Sequence, residues 1–466
     1  MQASTLFDKV WNSHVIADLP GGWALLHIDR QLLHDLSGTR SLDALAERGL
    51  RVHNPELVFA TPDHAVSTAP GRTALSYAPG GKLWTSLKAR TAQAGIRLFD
   101  LGEIGHGIVH VMGPELGLVQ PGLTLICGDS HTCTNGALGA LAFGVGTSEL
   151  AHALATQTLL QRKPRSMRIY YEGELASGVT AKDLILYTVG HLGASAGVGF
   201  AVEYAGSAIR ALSMDERMTV CNLSIEMGAK IGMVAPDDKT HAYLHGRRYS
   251  PVGEHWNAAK AYWQTLRSDE QAIFDREERI DATAVVPMVT WGTSPEHAIA
   301  LDGHVPQLQD ARDEAIRQAW AAALEYMGLQ AGSAIMGTRI DRAFIGSCTN
   351  ARLSDLVAAA EVVRGRKVAD HVRAWVVAGS ESVKREAESI GLDRVFREAG
   401  FAWREPGCGM CVAANGEIAQ PGERVISTSN RNFVGRQGPS VRTHLASPAT
   451  VAASALAGAI AAAGEF

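Results

Sequence analysis

The sequence predicts an α/β protein built mainly on parallel sheets. Short β-rich runs alternate with helical patterns along the whole chain, polar clusters follow directly on several of the β-rich runs, and 46% hydrophobic residues in a 466-residue chain suffice for sizeable buried cores. In order, ELVFAT (56–61), LTLICG (123–128), MRIYYEG (167–173), RAFIGS (342–347) and RAWVVAG (373–379) read as strands. SLDALAERG (41–49) and LSDLVAAAEVVRGRK (353–367) read as helices. The alanine-rich SPATVAASALAGAIAAAGEF (447–466) holds too little Leu, Ile or Phe to favour a membrane and reads as a helix packed on the last domain. No fixed-period repeat is present. Two stretches read as seams: the polar QRKPRSMR at 161–168, and the charged, poorly periodic region from about 236 to 310.

Charge narrows the function. A net charge of −5 and the lack of a dense Lys/Arg run point to small molecules or proteins as partners, with no nucleic acid and no membrane expected. MQASTLFDKVWNSHVI lacks the uninterrupted apolar core of a signal peptide, so the cytoplasm is the expected location. Six cysteines in such a setting do not suggest a disulfide framework.

The polar clusters are the informative feature. ELVFAT leads to PDH, LTLICG to DSHTCTNG, and RAFIG to SCTN. Ligands bind at the carboxyl ends of strands in open α/β sheets, so such clusters can share a cleft.

EPGCGMC (405–411) holds Cys408 and Cys411 in a loop freed by Pro406, Gly407 and Gly409. Its C-x-x-C admits three readings: small core thiols, a thioredoxin-like redox pair, which the preceding Pro-Gly fits poorly, or a metal site. In the last case Cys348, in the tight GSCTN turn, is the natural third ligand. Three thiolates argue against a closed structural zinc site, which wants four protein ligands. A 4Fe-4S cluster on three cysteines keeps one iron open as a Lewis acid. Spacing alone leaves zinc with a histidine as fourth ligand open. Cys127, Cys133 and Cys221 read as buried, small apolar side chains. The glycine-rich GALGALAFGVGTSEL lacks both the P-loop and the dinucleotide fingerprints, and its glycines read as close helix packing.

Seven motifs together carry a resemblance: DHAVST, GIVHVMGPE, CGDSHT, CNLSIEMGAK, GSCTN, PGCGMC and TSNRNFVGRQG. With them the chain resembles the aconitase superfamily, and within it the isopropylmalate dehydratase branch. The likeness runs from TLFDKVWNSHVI and LLHIDRQLLHD to RTHLASPAT, essentially the whole chain. It implies three α/β/α domains, 1–165, 166–284 and 285–466, around a central iron-sulfur site. The third carries all three cluster cysteines. The implied cofactor is one 4Fe-4S cluster on Cys348, Cys408 and Cys411, its fourth iron open to the hydroxyl and a carboxylate of the substrate. The implied reaction removes water from a small hydroxy-diacid and adds it back one carbon away, as in leucine biosynthesis.

By the same resemblance, His64 donates the proton to the leaving hydroxyl with Asp63 orienting it. His110 with Asp129, and His131 with Glu226, form two further pairs. Ser130 and Asn222 line the site, and Arg431 and Arg436 grip substrate carboxylate. A mobile fourth domain with a serine base follows in single-chain aconitases. Here the base is expected from a separate small swivel-domain subunit, with little turnover from this chain alone.

The sequence also departs from the branch. Cys133 and Asn135 stand where alanine and histidine are usual, DLGEIGHGIVH differs before the shared Gly-Ile-Val-His, and Pro62 and Ala65 flank the acid pair. A related hydro-lyase acting on 2-methylmalate, citraconate or another substituted malate is therefore the alternative substrate reading. A cluster-free RNA-binding regulator and an inactive zinc protein are the rivals from other classes.

Overall fold

The computed structural model describes residues 3–466. Its contacts divide the chain into two units. The first comprises residues up to Val66, Tyr77–Glu174 and Ser195–Ala282; the second comprises Ser67–Ser76, Leu175–Ala194 and Thr283–Phe466. Two short segments thus belong to the second unit although their sequence neighbours belong to the first.

The first unit holds a five-stranded sheet in the order Arg97–Leu98, Val58–Thr61, Arg30–His34, Thr124–Cys127, Leu141–Gly144, every pair parallel. Val58–Thr61 and Thr124–Cys127 are buried along their whole length, as expected of parallel strands covered on both faces. His34 pairs with Thr61, and Leu32 with Cys127. That register matters for the site: the segments that begin at Asp35, Pro62 and Gly128 all leave the carboxyl ends of adjacent strands. A second all-parallel sheet runs Ile231–Val234, Phe200–Ala205, Arg165–Glu172, Arg276–Asp281. A small antiparallel sheet joins Val15–Leu19, Trp23–His27 and Thr158–Arg162.

The second unit is built on a parallel five-stranded sheet in the order Ala402–Arg404, Arg373–Val377, Arg342–Ile345, Arg424–Ser427, Arg442–Leu445. Helices Leu353–Val363 and Pro448–Ala457 lay Ala359, Ala360, Ala452 and Ala455 into its core, and these small side chains allow close approach. The loops with the cysteines again leave carboxyl ends, after Ile345 and after Arg404.

Every strand and helix named from the sequence is present, with three local differences. Strand Arg165–Glu172 begins inside QRKPRSMR, so only Lys163 and Pro164 interrupt the strands there. The terminal helix stops at Ala457, because Gly458 adopts φ 72° and its N–H caps the Ser454 carbonyl. Gly136 packs against strand backbone, not a helix: a Cβ there would lie 1.8 Å from the Gly232 carbonyl oxygen.

Candidate active site

In the first unit, His64 sits between two carboxylates. Its Nδ1 meets Asp63 Oδ1, and its Nε2 lies 3.0 Å from Asp129 Oδ2. Both ring nitrogens therefore have an acceptor, an arrangement that suits a doubly protonated imidazole. Asp63 is itself fixed, its other oxygen accepting the N–H of Val109 at 2.9 Å in the first turn of helix Val109–Glu115. His106 holds the Pro62 carbonyl at 2.8 Å, just before the pair.

Asp129 caps the 3-10 helix Ser130–Leu138 by accepting the His131 N–H at 2.7 Å. Its Oδ1 also lies 3.4 Å from His131 Nδ1 and 3.6 Å from His110 Nε2. One carboxylate thus faces three imidazoles. Burial opposes its charge, but His110, His131 and His64 outweigh that and hold Asp129 well below the usual carboxylate range. His110 is pushed down by complete burial, against the pull of Asp129. At 3.6 Å its Nε2 feels the carboxylate electrostatically but makes no hydrogen bond, so it is a buried polar atom without a protein partner.

His131 Nε2 meets Glu226 Oε1 at 2.9 Å. Asn222 donates to Thr134 Oγ1 at 2.8 Å, and the half-buried Ser130 places its hydroxyl 3.5 Å from His131 Nδ1. The departures from the branch pattern are accommodated here. Asn135 donates to the Thr132 carbonyl at 2.9 Å and faces His110 Nδ1 at 3.3 Å, so its amide supports the neighbouring ring. Cys133 directs its thiol to the Asn222 carbonyl at 3.5 Å. Cys127 and Cys221 are fully buried, and that burial raises both thiols well above their ordinary range, as inert core residues require.

The second unit gathers the other three cysteines. Ser347 takes φ 78°, turning the chain sharply ahead of Cys348, and Gly407 and Gly409 take φ 155° and 54° around Cys408. Asn430 connects the two loops: its Nδ2 lies 3.5 Å from Cys348 Sγ, and its Oδ1 lies 3.6 Å from Cys411 Sγ. Arg436 reaches within 3.9 Å of Cys411 Sγ, while its buried Nε has no protein partner. Arg431 is half-buried, beside Asn430 in sequence.

A family model described as Aconitase family (aconitate hydratase) matches residues 8–458. The chain belongs to the aconitase family. It is 60% identical to "3-isopropylmalate dehydratase large subunit 1" of Bradyrhizobium diazoefficiens over 98% of this chain and 96% of that protein. It is 50% identical to "3-isopropylmalate dehydratase large subunit" of Roseiflexus castenholzii, over 98% of each. A crystal structure of Thermococcus kodakaraensis aconitase X in its holo-form aligns at TM-score 0.46 and 14% identity, covering 88% of this chain and 84% of that one.

Aconitase membership implies an iron-sulfur cluster, and the cysteine loops suit one. All three of their cysteines are buried. Thiolates on a single zinc would approach to about 3.8 Å, given Zn–S bonds near 2.3 Å. Among the described residues, the group of three or more potential ligands whose atoms lie within 4.8 Å of one another is His34, Asp35, Asp63 and His64, with no cysteine in it. The His34 group has internal reasons for its closeness: Asp35 accepts the N–H groups of His64 and Ala65 at 3.1 and 2.8 Å, and His34 stacks on His64 with ring centroids 4.3 Å apart.

Sequence reasoning missed Asn430, Asp35 and Lys182. Lys182 is fully buried, donates to the carbonyls of Thr428 and Ser429 at 2.8 and 2.7 Å, and so pins the turn that presents Asn430. Burial pushes it down to about 7. Asn430 and Asp35 carried a usable signal, since each follows closely on a strand, as the nominated residues do.

Proposed function

We propose that this chain is the large subunit of 3-isopropylmalate dehydratase, a hydro-lyase of leucine biosynthesis that interconverts 2- and 3-isopropylmalate through 2-isopropylmaleate. The geometry that carries the reading is His64 held between Asp63 and Asp129, a stored proton with an acceptor at each nitrogen. Loss of hydroxide from a carbon needs such a donor, and His64 protonates the departing hydroxyl while Asp63 fixes the ring. Asp129 remains ionised and stabilises the imidazolium form. His110 Nε2, buried without a protein partner, offers a hydrogen bond to a substrate oxygen, and Glu226 fixes the tautomer of His131. Ser130 and Asn222 line the pocket. Arg431 and Arg436 bind the diacid, Arg436 with an Nε left free for it.

Cys348, Cys408 and Cys411 hold one 4Fe-4S cluster, which supplies a Lewis acid for the substrate hydroxyl and carboxylate when bound. The buried thiols and the Asn430 amide between two of them support that assignment. A small swivel-domain subunit supplies the serine base, a reading supported by the "large subunit" of the relatives' names. The three parallel sheets support domains at 1–165, 166–284 and 285–466. No helix among the described residues is long and apolar enough to cross a membrane, and the cytoplasm is the proposed location.

The test is anaerobic conversion of 2-isopropylmalate by the cluster-reconstituted chain mixed with its small subunit, followed by the ultraviolet absorbance of the unsaturated product. Turnover is expected with 2-isopropylmalate and at least about tenfold less with 2-methylmalate, since each methylene missing from an apolar contact costs about 1–3 kcal/mol. The reverse preference would overturn the substrate assignment.

A further inference from the structure

The Cys408–Cys411 loop is fastened at both ends by a segment that comes from far upstream in the sequence. Ser67–Ser76 belongs to the second unit. Upstream of the cysteines, the Thr68 carbonyl accepts the Glu405 N–H at 2.8 Å, and Arg72 donates to the Pro406 carbonyl at 2.6 Å and back to the Ser67 carbonyl at 3.0 Å. Downstream, one carboxylate collects the same segment. Glu417 accepts from Ser67 Oγ at 2.9 Å, from the Thr68 N–H at 2.6 Å and from Thr68 Oγ1 at 2.6 Å. It also accepts from Arg404 at 2.7 Å and from Asn415 at 3.1 Å. Arg404 in turn donates to Thr68 Oγ1 at 2.9 Å.

A loop with such anchors has little internal order of its own. Between Glu405 and Glu417 the regular structure is one 3-10 turn, Gly409–Cys411, and the backbone takes positive φ at Gly407, Gly409, Ala413 and Gly416. Chain in that state is entropically costly to hold, and the cost is met by contacts outside it. Glu417, with its side chain only 9% exposed, is committed to five donors, the pattern of a carboxylate that a structure cannot lose cheaply.

We propose that the strap Ser67–Arg72, through Glu417, is the positioning clamp that keeps the Cys408–Cys411 loop ready for its cluster, so that residues distant from the sulfurs in sequence set cluster retention. The proposal rests on the cofactor assignment above. It predicts that weakening the clamp shortens the life of the cluster in a protein that is otherwise folded.

The test uses the full chain carrying Thr68→Val, which removes the hydroxyl shared by Glu417 and Arg404, beside Thr68→Ser, which keeps it, and Glu417→Gln. Amide exchange over residues 405–417 is measured first, in protein without cluster. Thr68→Val and Glu417→Gln should exchange at least about tenfold faster there, the scale of one charge-assisted hydrogen bond, with the sheet amides of Arg342–Ile345 unchanged and Thr68→Ser close to wild type. Iron transfer from reconstituted protein to an anaerobic chelator should quicken in the same order. Unchanged loop exchange in both disruptive variants would overturn the clamp. So would faster exchange with an unchanged iron-release rate. Wild-type protein that takes up no iron would instead overturn the cofactor assignment, and the exchange measurement would still decide the clamp.

Discussion

His64 Nε2 lies 3.0 Å from Asp129 Oδ2, on the same carboxylate whose other oxygen faces His131 and His110. A single negative charge therefore organises three imidazoles. The pairwise reading of the sequence gave Asp129 to His110 alone. In the structure it is nearer to His64, so the proton on His64 and the charge balance around the other two rings depend on one group.

Asp129→Asn keeps the shape and removes the charge. The imidazolium form of His64 then loses one of its two carboxylates, and kcat should fall roughly 100- to 10,000-fold, the range of a lost acid-base function. Iron and sulfide content should stay at the wild-type level, because Asp129 is not one of the three proposed ligands. Wild-type turnover in this variant would move the proton donor away from His64.

Replacing Cys408 with serine tests the ligand set directly. The hard hydroxyl is a poor substitute for a thiolate, so the reconstituted variant should lose the visible absorbance of the cluster together with its iron and sulfide. A full complement of both would show that Cys408 is not a ligand. Zinc in place of iron in the wild-type protein, with no colour, would favour the zinc reading of the cysteines.

Much of this was legible in the sequence because chemistry and topology coincide. Asp63, Asp129 and Cys348 each follow an apolar strand within a few residues, which is where parallel sheets place their ligands. Asp35 obeys the same rule after Arg30–His34 but stood outside the motifs, and its work is done through the backbone N–H groups of His64 and Ala65, which no side-chain pattern encodes. Asn430 was read past in favour of Arg431 and Arg436, since its role comes from reaching two sulfurs on separate loops. The 3-10 course of Ser130–Leu138 was also hidden. The polar run SHTCTNG carries no helical period, and the segment is shaped by the Asp129 cap and by the close approach of Gly136 to Gly232.

Arg436→Lys probes the substrate grip. The guanidinium stands 5.3 Å from the Phe433 ring centroid with its Nε buried and unpartnered, so a planar two-point contact is available to a carboxylate. Lysine keeps the charge and loses the fork. The expected outcome is a fall of about 10- to 100-fold in kcat/KM, as for one lost bidentate contact, with normal iron content. Unchanged kinetics would remove Arg436 from the substrate grip.

Acid sensitivity should originate partly in His444, on the edge strand Arg442–Leu445 of the second unit's sheet. Its Nδ1–H donates to the Thr290 carbonyl at 2.6 Å, and its Nε2 accepts from Arg424 at 2.8 Å. Burial first, and then the Arg424 charge, push it down to about 3 from the ordinary 6.5. Between those values the folded ring is neutral while the unfolded one binds a proton. The stabilisation is therefore complete above pH 6.5 and is lost as the pH falls toward 3. The loss amounts to about 2 kcal/mol between pH 6.5 and pH 5 for one proton. His444→Gln is less stable at neutral pH but should show a shallower acid slope. Because the chain has two units, the opening free energy is best read locally, from amide exchange in Arg424–Ser427 and Arg442–Leu445 after correction for intrinsic rates. Parallel slopes in variant and wild type would mean that His444 does not titrate with opening, and the acid limb would have to come from carboxylates elsewhere in the unit.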